Sequence, residues 1–188
     1  MKTASLVLRS ALAVCFAFVM SSASCDLFDK VDDVTFDVEL SHTFHVDASS
    51  TDPLVYLKKE VLDAADVNSD FNKYKDKIKA INVSSVTYVI SNVQTSGIIV
   101  TNGTVGYSAQ TANTATSAQV ASLGIESIDA AMGQTKNLPF NQVALNELST
   151  FLKDDKKINI YFGATLNQVP AEFDVLVVLK ASITADAL

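Results

Sequence analysis

Between residues 34 and 46 the chain alternates without a break. Val34, Phe36, Val38, Leu40, His42, Phe44 and Val46 fall on one face, and Thr35, Asp37, Glu39, Ser41, Thr43, His45 and Asp47 on the other. A period of two over this length predicts a strand with one buried face. Its length predicts a bend or bulge near Ser41-His42. Turn-forming residues from Ala48 to Pro53 end it, and residues 54–62 read as the next strand. Asn68 then offers a helix N-cap, with Phe71, Tyr74 and Ile78 spaced along one face of a short helix. Residues 83–93, rich in β-branched side chains, predict a strand. Residues 98–101 and 104–109 flank Asn102-Gly103, a dipeptide that predicts a hairpin turn.

The second half repeats the alternation of strand and helix signals. Residues 110–117 are small and polar and predict a loop, followed by a strand over 119–128. Asn141 caps a second helix that carries Leu145, Leu148 and Leu152 on one face, with Val143 and Phe151 flanking. Lys153 to Lys157 form a charged turn. Ile158, Ile160 and Phe162 alternate in the next strand, and Phe173, Val175, Val177, Leu179, Ala181 and Ile183 in the last. That last strand also has Leu176 and Val178 on its other face, which predicts a central position in a sheet. Seven or eight strands with two short helices predict a mainly β fold, a single β-sandwich with two helical crossovers. A single-sheet α+β domain is the alternative.

The first 24 of the 188 residues have a different character. Lys2 and Arg9 make a basic start, and Ala11 to Met20 is an unbroken apolar run. Ten helical residues reach roughly 15 Å, half of the ~30 Å hydrocarbon core, so the run suits an export signal rather than a membrane span. The small residues Ser21 to Ser24 follow, then Cys25. The expected organisation is a signal over 1–24, Cys25 with an acidic tether over 25–33, and the sandwich over 34–188. Without Lys2 and Arg9 the remainder carries 12 basic against 21 acidic residues, a net charge of −9. An acidic surface repels nucleic acid and anionic lipid alike. The only cysteines are Cys15, inside the apolar run, and Cys25, so an internal disulfide is not expected after cleavage.

The stretch Ser22-Ala23-Ser24-Cys25 resembles a bacterial lipobox, although Ser22 stands where that motif usually has Leu. The resemblance implies acylation of Cys25, which would become the mature N-terminus. Two or three acyl chains, at about 0.8 kcal/mol per buried CH2, hold a soluble domain on a bilayer. Simple signal-peptidase cleavage after Ser24, with secretion, is the alternative. The acidic run Asp26 to Asp33 is similar to the stretch after the cysteine in surface lipoproteins of Bacteroidota-type bacteria, although a plain acidic linker is the better reading of it. In general layout the body resembles the β-sandwich lipoproteins of Gram-negative bacteria. That resemblance implies an envelope location, outer membrane in particular, on the periplasmic or the cell-surface side. It assigns no binding residues.

Candidate chemistry changes this picture little. His42 and His45 are the only histidines, and at i and i+3 on a strand they point to opposite faces, too far apart to share a metal. His42 is expected to be partly buried with a partner, and His45 to be solvated beside Asp47. Asp66, Asn68 and Asp70 match the start of a calcium loop, but Phe71 replaces its glycine and Lys77 its bidentate glutamate, so helix capping is the better reading. There is no G-x-S-x-G elbow, no phosphate-cradling glycine pattern and no Trp. Tyr107, near the polar loop, is the tyrosine best placed to contact a ligand, although core or edge packing is the commoner role. No catalytic residue and no cofactor is expected. The functional expectation is a non-enzymatic structural or interaction module of the envelope, with a protein partner or self-assembly. The alternative is a glycan- or lipid-binding lipoprotein, hydrolytic if paired carboxylates line a pocket.

Overall fold

The computed structural model describes residues 33–187. The expected signal, Cys25 and all of the acidic tether but Asp33 lie outside them. Residues Thr35–Ala185 make one compact unit, and the remaining described residues, 33–34 and 186–187, group with the chain ends.

Eight strands build the unit: β1 (Asp33–Ala48), β2 (Val55–Asp63), β3 (Ile78–Ser91), β4 (Ile99–Ala109), β5 (Val120–Ser127), β6 (Thr135–Asn137), β7 (Lys157–Leu166) and β8 (Ala171–Asp186). They form two four-stranded sheets, sheet A in the order β1-β8-β3-β6 and sheet B in the order β2-β7-β4-β5. Consecutive strands mostly change sheet, and this pair of interleaved orders is the layout of a jelly roll. The mainly β sandwich expected from the pattern is therefore the fold. Helices α1 (Ala64–Val67) and α2 (Ser69–Tyr74) cross from sheet B to sheet A. Helix α3 (Ile128–Ala131) crosses in the same direction, and α4 (Gln142–Asp155) crosses back. Among the described residues no helix is long and apolar enough to span a membrane.

The core lies between the sheets. Phe44 of β1 meets Phe162 of β7 at 5.8 Å between ring centroids, and Tyr56 of β2 packs against the same ring at 6.1 Å. Strand β8 is second in its sheet, the interior place its two-sided apolar pattern predicts. Helix α4 begins where Asn141 accepts the Ala144 N–H at 2.9 Å, and buries Leu145, Leu148 and Leu152. It lies along the half of β3 that the three-residue β6 leaves unpaired. There the Ser149 hydroxyl takes the Val83 N–H at 2.9 Å, on the side of β3 away from β8 that β6 does not reach.

Several local expectations are corrected. Asn102-Gly103 does not turn a hairpin: β4 runs straight through it. Asn102 takes a left-handed φ of 50° and the registers to β5 and β7 shift around it. Strands on both sides hold β4 extended, so the turn dipeptide makes a bulge instead. The bulge expected at Ser41-His42 is absent, since inward and outward side chains alternate in one phase from Phe36 to Ala48. The first helix is shorter than its apolar spacing suggests. Residues 69–74 are helical, but Ile78 opens β3. The charged stretch 153–157 is mostly helix. It ends only where Lys156 adopts a left-handed φ of 61°.

Candidate functional site

A sandwich of two sheets has two open sides, and here each is bridged by a glutamate. On one side the edge strands are β1 and β2. His42 Nε2 lies 2.6 Å from Glu60 Oε2, and Lys58 Nζ lies 2.7 Å from the other oxygen. The histidine contact is close but not aligned as a hydrogen bond. The Lys58 ammonium holds the Glu60 carboxyl below its ordinary range, with His42 adding to the effect against partial burial. On the opposite side the edges are β6 and β5. Tyr88 Oη donates to Glu126 Oε2 at 2.7 Å, and Lys136 Nζ donates to Oε1 at 2.6 Å. Burial, then the adjacent carboxylate, pushes the Tyr88 hydroxyl's pKa well up, so it remains a donor. Both clusters tie sheet to sheet.

The outer faces of the two sheets differ. The face of sheet A carries Asp37, Glu39, Asp47, Glu172 and Asp174, with Lys180 held to Glu39 at 2.9 Å. The face of sheet B carries most of the exposed apolar side chains, among Lys59, Thr104, Tyr161 and Thr165. Of ten exposed large apolar side chains among the described residues, six point from it: Val55, Leu57 and Val61 of β2, Ile99 of β4, and Val120 and Ile125 of β5. Ile125 owes its outward direction to a bulge at Gly124 (φ 76°). There β5 changes phase, so Glu126 turns in to Tyr88 and Ile125 turns out.

A cleft of about 370 Å³ opens on that face, within the usual range of binding pockets. Its floor is made by Thr104 and Gly106 of β4. A Cβ on Gly106 would sit 3.2 Å from Val120 Cγ2 and 3.3 Å from the Gln119 carbonyl. Leu57 and Val120 form its sides, and Tyr161 and Lys59 stand within it. The Lys59 ammonium is 5.8 Å from the centre of the Tyr161 ring and donates to the Ala112 carbonyl at 3.3 Å. The remaining wall is the loop after β4, where Asn113, Thr114 and Ala115 line the cleft. Asn159, buried in β7, fixes that loop by donating to the carbonyls of Ala109 and Ala112, each at 2.9 Å. At the loop's far end Gln119 Oε1 accepts the Thr116 N–H at 2.9 Å. The cleft can hold an apolar group against a tyrosine ring with one cation at the rim.

The residues singled out from sequence fall elsewhere. Asn68 caps α2, accepting the Phe71 N–H at 2.9 Å, and Asp70 sits in that helix's first turn. Asp66 lies in the first turn of α1, whose cap is Asp63. Among the described residues no group of three or more His, Cys, Asp or Glu is arranged to hold a metal. Tyr107 is buried, its hydroxyl donating to the Ala144 carbonyl at 2.6 Å, and Tyr161 occupies the cleft in its place. A second concavity, about 420 Å³ on sheet A, is lined by Asp37, Glu39 and Lys180. Its two carboxylates stand side by side on β1, and Glu39 is already paired with Lys180.

His42 turns into the sandwich and His45 turns out, as the strand period requires. His45 is not merely solvated, for its Nδ1 lies 2.6 Å from Asp174 Oδ1 across to β8. That hydrogen bond, with the charges of Asp174, Glu172 and Asp47, raises the His45 pKa above its ordinary 6.5. A group whose pKa is raised on folding stabilises the fold below its unfolded value, and that contribution fades as pH rises through the folded value. The melting-temperature gap between wild type and His45→Ala should therefore be widest near pH 6 and should narrow as pH rises. A gap that widens with pH would reverse the assignment.

No family model matches the chain, and no curated protein matches it. Solved structures similar to it include one of desmodium yellow mottle tymovirus, at 8% identity over 83% of this chain and 89% of that chain, with a TM-score of 0.45. Turnip yellow mosaic virus follows at 13% identity, 82% and 96% coverage and a TM-score of 0.38. The decameric BFDV capsid protein matches at 10% identity, 80% and 99% coverage and a TM-score of 0.38. At these values the likeness assigns nothing to this chain.

Proposed function

We propose that this chain is a non-enzymatic interaction module, held at the cell envelope by acyl chains on Cys25, and that it meets its partner with the outer face of sheet B. The observation that carries the reading is the contrast between the two outer faces. Single exposed apolar residues are ordinary on a protein surface, but six on one face, around a cleft, are characteristic of a surface that becomes covered. The acidic and titratable groups serve other purposes. Glu60 and Glu126 close the sides of the sandwich, and Asp37, Glu39, Asp47, Glu172 and Asp174 lie on sheet A. The acidic body would not adhere to anionic lipid by itself, which suits attachment through the lipobox-like Ser22-Ala23-Ser24-Cys25. The outer membrane is the envelope site we favour.

Two measurements test this. Cys25→Ala should release the chain from membranes and abolish incorporation of a fatty-acid analogue; an unchanged membrane fraction would overturn the anchor. Carbene footprinting should modify Leu57 and Ile125 readily in the dilute purified chain and several-fold less in intact cells. Equal modification in both would overturn the interaction face.

A further inference from the structure

We infer that one partner of this surface is a second copy of the same chain, joined by antiparallel pairing of β2 with β2 so that two sheets B become one eight-stranded sheet. The inference rests on the interaction face proposed above and names one molecule that it meets.

The geometry of β2 is that of an open template. It is an edge strand, pairing with β7 over nine consecutive positions with no register shift, so it is straight and regular. The Leu54 carbonyl accepts the Leu166 N–H at 2.8 Å, and the Ala64 N–H donates to the Lys156 carbonyl at 3.0 Å. Backbone groups in an antiparallel pair point alternately toward and away from the partner strand. The even-numbered residues therefore face β7. Val55, Leu57, Lys59 and Val61 turn their N–H and C=O groups to the open side, where no described strand pairs with them. The same residues send their side chains to the outer face, where Leu57 is 76% exposed. Proteins usually guard such an edge with a bulge, a proline or charges. Strand β2 has neither of the first two. Its inward charges, Lys58 and Glu60, already neutralise each other at 2.7 Å, so an incoming strand meets a paired group.

The sequence of β2 also selects how two copies pair. Only registers that bring odd residues opposite odd residues satisfy the open backbone groups. The one centred between the two copies of Lys58 sets those lysines face to face, and the one centred on Lys59 does the same to that pair. Like charges directly opposite are unfavourable. The register centred on Leu57 avoids both. It places Leu57 against Leu57 on the two-fold axis, Val55 against Lys59, Tyr56 against Lys58 and Leu54 against Glu60. The most exposed apolar residue of the strand thus meets its own copy, and each Lys58 meets a tyrosine ring. The interface is isologous and closes as a dimer.

The test uses the full-length chain. In detergent, sedimentation equilibrium should show a reversible dimer, and Leu57→Lys, which puts like charges on the axis, should raise the dissociation constant at least roughly tenfold. The position is exposed, so folding is retained, as an unchanged circular dichroism spectrum would show. In membranes, Leu57→Cys should give a disulfide-linked dimer on mild oxidation, since residues in a hydrogen-bonded pair stand about 5.5 Å apart at Cα. Thr43→Cys, on sheet A, and the unsubstituted chain should not. Amide exchange at Val55, Leu57, Lys59 and Val61 should slow as concentration rises. A monomer at every concentration with no Leu57→Cys dimer would overturn the inference. If Ile125 were still protected in cells, a different molecule would cover sheet B and the broader reading would stand. If it were unprotected, both would fall.

Discussion

Asn159→Ala should lower stability by about 2 kcal/mol, roughly 4–8 °C in melting temperature for a unit of this size, and should loosen the loop that walls the cleft. Asn159 is almost wholly buried, on the outward side of β7 beneath the chain that follows β4. Its amide has two hydrogens and four acceptors in reach, with the Ala109 and Ala112 carbonyls nearest at 2.9 Å and Gln110 O and Ser108 Oγ at 3.2 and 3.3 Å. Removing the amide takes a donor from three carbonyls in a place where the loop itself keeps water out. Ala109 keeps the Ala112 N–H and the Ser108 hydroxyl, and Ala112 keeps the Lys59 ammonium, so the main loss falls on Gln110. That costs about 1–3 kcal/mol unless the loop opens to solvent, and opening is the cheaper relief. The cost should thus be shared between stability and order. Thermal unfolding should show the drop, while amide exchange and proteolytic nicking should rise at residues 110–116. Asp at this position keeps the shape but offers acceptors to acceptors, and should be at least as damaging. A loop that stays protected in Asn159→Ala would show that Lys59 and Gln119 hold it unaided.

The importance of Asn159 was not legible from sequence, and the reason is general to this fold. Alternation along a strand reports which face a residue occupies, and it placed β1, β7 and β8 well, including the interior position of β8. It says nothing about what covers an outward-facing residue. In a jelly roll that depends on strands far apart in sequence: Asn159 meets residues 108–112, and Glu126 meets Tyr88 and Lys136. The same limit explains Asn102-Gly103. The dipeptide favours left-handed backbone, and Asn102 has it. Whether that makes a turn or a bulge is decided by the neighbours, and β5 and β7 on either side permit only a bulge. Helix caps behave differently because their chemistry is local. Asn68 and Asn141 are both caps in the structure, each accepting an N–H three residues on. The cleft combines the two cases. Its loop is visible in the run of small polar residues, but the meeting of Gly106, Tyr161 and Lys59 needs the registers of β4 and β2 against β7 to be known.

Glu126→Ala should cost about 3 kcal/mol, and Glu60→Ala, its counterpart on the other open side, about 1 kcal/mol or less. The clusters have the same make-up, a carboxylate between a lysine and an aromatic side chain, so the difference comes from burial. Glu126 is 8% exposed and Tyr88 3%, and the hydroxyl left behind has no water to turn to. The penalty is that of an orphaned buried donor, with Lys136 adding less because its ammonium reaches solvent. Glu60 and Lys58 are partly solvated, and exposed pairs contribute about 0–1 kcal/mol. The orphaned-donor argument also fixes a double mutant. Tyr88→Phe removes the donor itself, so Tyr88→Phe with Glu126→Ala should be less damaging than the sum of the two, by about 1 kcal/mol or more. Chemical denaturation of the four proteins measures that coupling directly. Strict additivity would mean that the Tyr88 hydroxyl finds another acceptor when Glu126 is gone, and that the side of the sandwich at β5 and β6 is held by packing rather than by the buried carboxylate.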